Sequence, residues 1–147
     1  MSEETGNVWD SIARQAAERI GDELFQAHRG VTHSRHSGVY AAFGNDGYTT
    51  DPKAQREVEA ARKCIEAGGG TALGFGTSSD GYSWVLLYRA DNLTAAKVID
   101  AMWNGWQGSP SSDTEPDAFR SLQSVIADNR ILDDLLDTLP HNIINPN

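Results

Sequence analysis

The residues best suited to chemistry fall between His28 and His36. They are His28, Arg29, His33, Arg35 and His36, in a stretch without a single acid from His28 to Asn45. Guanidinium forks match phosphate and carboxylate, and imidazole titrates near neutrality. The cluster is therefore a candidate anion or ligand site, and one of its histidines could act as a general base. Its ligand would be phosphorylated or nucleotide-like, and the side chains would have to converge on a concave pocket with a carboxylate or tyrosine. Metal binding fits less well. His33 and His36 supply two nitrogens on one turn, and with His28 and no nearby cysteine the donor set of a zinc site stays incomplete. A solvated loop that offsets an acidic body accounts for the same residues.

A second group suits recognition rather than reaction. Trp103 and Trp106 lie three apart on one helix face, and Tyr82 and Asp80 sit in a tight turn. Indole and phenol bury much area while keeping a polar handle, which is why they dominate interfaces. A third group is acidic: Asp133, Asp134 and Asp137 share one helical surface. Between Gly108 and Asn147 there are seven acids and two arginines. Such a face is normally just solvated, but it could also cover the basic groove of another protein.

Other motifs fail on context. Gly68-Gly69-Gly70 precedes a strand instead of opening a helix, the wrong order for a phosphate loop. Gly74-Phe75-Gly76 lacks the third glycine of a dinucleotide turn. Ser78, Ser79 and Asp80 are turn residues without a nucleophile elbow. No catalytic residue, metal site or cofactor is assigned.

The bulk numbers agree. The 147 residues carry 21 acids and 12 basic residues, a formal charge of −9. That charge repels nucleic acid and membrane surfaces and favours a basic protein partner. One cysteine, Cys64, excludes a disulfide framework and reads as a small core residue. There is no apolar run long enough for a membrane helix, and Met1-Ser2-Glu3-Glu4 is the wrong chemistry for a signal peptide, so a cytoplasmic location is expected.

The elements that must hold these groups centre on Thr71–Gln107, which contains three of the four tryptophans. It reads as strand, Ser78–Gly81 turn, strand, then a helix opened by Asp91-Asn92. Val85-Leu86-Leu87-Tyr88 is apolar on both faces and predicts an interior strand. Upstream, apolar spacing predicts a helix from about Val8 to His28, with Asn7 as N-cap and Ile12, Ala16, Ile20 and Leu24 in its stripe. His28 to about Ser37 reads as loop, Val39–Phe43 as strand, Gly44–Gly47 as turn and Tyr48–Thr50 as a return strand. Asp51-Pro52 starts a helix that three glycines end. The stretch 114–126 predicts a capped helix, and Ile131, Leu132, Leu135, Leu136 and Leu139 a last one. Asp46-Gly47-Tyr48 echoes Asp80-Gly81-Tyr82 at a spacing of 34 and predicts equivalent hairpins.

The expected fold is one α+β domain: an antiparallel sheet of about four strands in two hairpins, with helices mainly on one face and a C-terminal helical pair. Residues 1–7 and 141–147 read as flexible tails. The expected function is protein binding, most concretely as an inhibitor or immunity-type protein that blocks a basic effector such as a nuclease. The alternative is an enzyme or ligand sensor that uses the His28–His36 loop. A homodimer is compatible with either.

Overall fold

The computed structural model describes residues 3–23, 29–34, 36, 38–45, 47–107, 126–128 and 130–144. In chain order the elements are α1 (Glu3–Glu23), β1 (Arg29–His33), β2 (Val39–Gly44), α2 (Pro52–Ala67), β3 (Thr71–Thr77), β4 (Trp84–Arg89), α3 (Asn92–Gln107), β5 (Ile126–Asp128), α4 (Arg130–Leu136) and α5 (His141–Ile144). The sheet order is β3-β4-β2-β1-β5. Neighbours among the first four strands run antiparallel, and β5 joins the far edge parallel to β1. The fold is α+β, built on two hairpins with a pair of short C-terminal helices.

Strand β4 is interior, as its composition requires. Its residues alternate between two cores. Val85 and Leu87 face α1, α4 and α5 together with Val39, Ala41 and Phe43 of β2. Trp84, Leu86 and Tyr88 face α2 and α3 together with Tyr40 and Ala42. The helices thus cover both faces of the sheet, where one face was expected. The reason lies in β2 and β4 themselves. Both are buried along nearly their whole length, so neither face can be left to water.

The first hairpin is made differently from the sequence reading. Arg29–His33 is a strand, not a loop, and it pairs with β2 from upstream. The segment 48–50 is not a return strand. It turns directly into α2, with the Asp51 N–H donating to the Tyr48 carbonyl at 3.0 Å. Of the two segments that end in Gly-Tyr, only the one at Ser78–Gly81 closes a hairpin, so they are not equivalent. They are neighbours instead, because β2 pairs with β4 and sets Gly44 opposite Trp84.

Several boundaries follow local chemistry. Pro52 opens α2, and Gly68 and Gly69 end it. Asp91 caps α3, its Oδ1 accepting from the Thr94 N–H at 2.7 Å. That bond is the main reason the Asp91 carboxyl lies below its ordinary pKa. Helix α1 starts at Glu3 rather than after Asn7, and it buries Trp9, Ile12, Ala13, Ala16 and Ala17. Ile126 belongs to β5, not to a helix; the predicted helix start at 114 and residue Leu24 lie outside the described residues. In α4, Ile131, Leu132, Leu135 and Leu136 are buried as expected. The segment after Pro140, expected as a loose tail, forms α5. It buries Ile144, whose carbonyl accepts from Arg89 Nη2.

Helix α1 lies unusually close to the edge strand β3. A Cβ on Gly74 would come within 2.6 Å of the Trp9 carbonyl carbon, and one on Gly76 within 2.3 Å of the Arg14 nitrogen. These two glycines exist for backbone-to-backbone approach, not for phosphate. The same helix shields the strand edge. Asp10 Oδ1 accepts the Phe75 N–H at 3.0 Å, so a carboxylate occupies a ladder position open to another chain. No helix among the described residues is long and apolar enough to cross a membrane.

Candidate functional site

The histidine-arginine cluster does not form one site among the described residues. Residues 28 and 35 lie outside them. Arg29 points into the α2 side of the sheet, where its Nε donates to Glu57 Oε2 at 3.0 Å; both side chains are almost fully buried. Helix α2 therefore places an acid, Glu57, among its buried residues Ala54, Ala61 and Ile65. His33 sits at the opposite end of β1, its ring 5.1 Å from that of Tyr40. His36 Nε2 meets Asp137 Oδ1 at 3.0 Å. The three side chains thus serve three different contacts: a buried ion pair, an aromatic contact and a tie to α4.

The acidic and aromatic candidates are also separated. Asp137 lies at the β1–β2 turn through its bond to His36, whereas Asp80 and Tyr82 lie at the β3–β4 turn. These turns mark opposite ends of the sheet, about 15 Å or more apart at ~3.3 Å per strand residue. Asp134 is exposed and Asp133 half-buried on α4. Trp103 and Trp106 fall in the final turns of α3, and their side chains lie outside the described residues.

The end of the sheet that holds Asp80 carries a site with definite geometry. The pairing of β2 with β4 sets the turn after β2 against the turn before β4. The Thr49 N–H donates to the Gly81 carbonyl at 2.7 Å, tying the two together. Gly81 takes a φ of 76°, which only glycine adopts readily, and so aims the next residue outward. As a result Tyr82 meets Tyr48 edge to face, with ring centroids 5.4 Å apart. Tyr82 is 42% exposed and Tyr48 56%, two of the three large hydrophobic side chains left exposed among the described residues.

Asp80 is fixed beside them. Its Oδ1 accepts from Ser78 Oγ at 2.6 Å and from the Tyr82 N–H at 3.0 Å. The Ser78 hydroxyl first, and then the Tyr82 amide, hold the carboxyl below its usual range. It remains ionised at neutral pH in one orientation. Glu18 of α1 accepts from the neighbouring Ser79 hydroxyl, and together these groups line a polar hollow with Ser83.

On the α2 side of the tyrosines runs a more apolar groove of about 300 Å³, lined by Thr49, Gln55, Val58, Glu59, Phe75 and Trp84. Phe75 and Trp84 stack at its base, 6.3 Å apart and 28° from parallel. The arrangement has no nucleophile, base and orienting group in line. What it offers is area, ring faces and a fixed negative charge. Tyr48 and this groove were missed in the sequence. The one signal for them was the repeated Asp-Gly-Tyr, whose two tyrosines the sheet sets side by side.

Two titratable groups elsewhere are structural. Burial pushes the Cys64 thiol up, partly opposed by Lys97. Burial, with Tyr40 adding, also pushes the Tyr88 hydroxyl well above the ordinary tyrosine value.

Compared with known proteins, the chain matches no protein-family model, no curated protein and no solved structure.

Proposed function

We propose that this protein works by binding another protein, and that its partner is basic. In concrete form it is an inhibitor or immunity-type protein that occupies the cationic surface of an effector such as a nuclease. The reading is carried by the Tyr48–Tyr82 pair: two exposed rings in mutual contact, on turns tied to the sheet, beside a carboxylate held in place by two hydrogen bonds. Rigid aromatic groups lose little entropy on binding and supply much contact area, so a few of them account for most of an interface's affinity. The formal charge of −9 adds electrostatic steering towards a cationic partner.

The test is a low-salt capture followed by affinity measurement with the purified partner. Tyr82→Ala and Tyr48→Ala should each weaken binding at least about tenfold, the effect of a typical hot spot. Raising salt from about 0.05 to 0.3 M should lower affinity further through screening. Lysine at Asp133, Asp134 and Asp137 separates the two ends of the sheet. A large loss would move the interface to α4; no loss, together with a loss at Tyr82, would keep it at the tyrosine rim. Affinity insensitive to salt and to every one of these substitutions would refute the reading.

A further inference from the structure

The rim and the groove together specify more than a basic partner. We infer that they take a short extended segment of that partner, with one large apolar side chain in the groove and an arginine, not a lysine, on the tyrosine rim. This rests on the protein-binding reading above and adds the chemistry of the bound segment.

The argument for arginine is geometric. The bonds from Ser78 and from the Tyr82 amide both fall on Oδ1, not Oδ2. A planar guanidinium can fork onto that carboxylate while stacking on the exposed ring of Tyr82; a lysine ammonium, a strongly hydrated point charge, cannot do both. Guanidinium over a ring, without the carboxylate, already occurs within the molecule. Arg62 lies over Phe75 at 5.5 Å and Arg89 over Trp9 at 6.0 Å. The argument for an apolar neighbour is the groove itself. Val58, Phe75 and Trp84 line it, exposed Glu59 stands beside them, and Thr49, next in the chain to Tyr48, completes the lining with Gln55. In an extended segment, residues two apart point the same way about 7 Å from each other. We assign leucine and arginine to such a pair of positions, and Glu59 adds a second negative charge for a cationic segment.

The experiment is a titration of isotope-labelled full-length protein with three synthetic hexapeptides, followed by amide shifts. One carries leucine two positions from arginine, one replaces that arginine by lysine, and one replaces the leucine by alanine. The expected result is shifts at Thr49, Val58, Phe75 and Tyr82 with the first peptide, and at least about tenfold weaker binding with the other two, the scale of one hot-spot contact. Tyr82→Ala and Asp80→Asn should remove the preference for arginine. Gln55→Arg, an exposed change at the groove wall, should weaken the leucine peptide and spare the fold. Equal binding of the arginine and lysine peptides, or shifts confined to α4, would overturn this inference and leave the protein-binding reading standing. No binding by any peptide to millimolar concentration overturns the inference. If the captured partner is also insensitive to Tyr48→Ala and Tyr82→Ala, both readings fall.

Discussion

The two faces of the sheet are built on different principles. On the α1 face a seam of small residues fits the helix closely against β3, beside larger ones such as Trp9 and Phe43. Ala13, Ala16 and Ala17 are fully buried, and Gly74 and Gly76 let the helix backbone touch the strand. On the α2–α3 face stacked rings and an ion pair go inside. Tyr40 and Tyr88 stack 5.6 Å apart, and Arg29 and Glu57 form a buried pair. The first face gains from contact area and tolerates no added atom. The second gains volume and must satisfy the polar atoms it encloses. The rim and groove belong to the end of the second face, where large side chains leave an uneven surface instead of a flush one.

Substitutions can separate these principles. The largest expected effect is on the polar face. Glu57→Ala leaves the Arg29 cation buried without this carboxylate and should cost about 3–5 kcal/mol in urea unfolding. Replacing both at once, Glu57→Leu with Arg29→Met, should recover most of that loss. A double variant as unstable as the single one would show that the pair is not the issue.

Next is the close-fit face. Gly76→Ala places a methyl against the Arg14 backbone and should cost about 3 kcal/mol, the upper end of overpacking, with the loss visible in both Tm and the α1 amide protection. A neutral result would mean that α1 can lift from β3 freely, and the contrast between the faces would be lost.

A smaller effect is expected at Tyr88. Its hydroxyl is fully buried, and among the described residues it meets no hydrogen-bond partner. Tyr88→Phe should therefore be neutral or stabilising by about 1 kcal/mol, measured by the same unfolding curves. A loss of more than that would reveal a bond that the hydroxyl depends on.

The smallest effect is on pH dependence at the rim. The folded pKa of Asp80 is depressed, so its contribution is present above the unfolded value of about 3.9 and declines as pH falls through the folded one. A carbon-detected titration should place its midpoint below that ordinary aspartate value. Ser78→Ala should move the midpoint back up, since the Ser78 hydroxyl is the largest cause of the shift.

Much of the fold was legible because its cues are local. Val85–Tyr88 declared an interior strand by having no polar face. Asp51-Pro52 and the glycines from Gly68 marked the two ends of α2. The leucines of α4 marked its buried stripe. Strand β1 was not legible. Arg29 and His33 read as solvated, and Arg29 is buried beside Glu57, a carboxylate on another element. Glu57 carries no local signal of burial for the same reason. The site was legible only in pieces. Asp80 and Tyr82 stood out by turn chemistry, whereas Tyr48 looked like the start of a strand.

The amino-acid sequence alone determined what short-range forces can decide: where helices begin and stop, which strand lies inside, and a surplus of negative charge. The tertiary structure decided which residues share a location. Strand pairing between β2 and β4 brings Tyr48 to Tyr82 and separates Asp137 from Asp80, and the close approach of α1 explains Gly74 and Gly76. Those outcomes depend on contacts between distant segments, whose energies exist only once the chain has closed its loops.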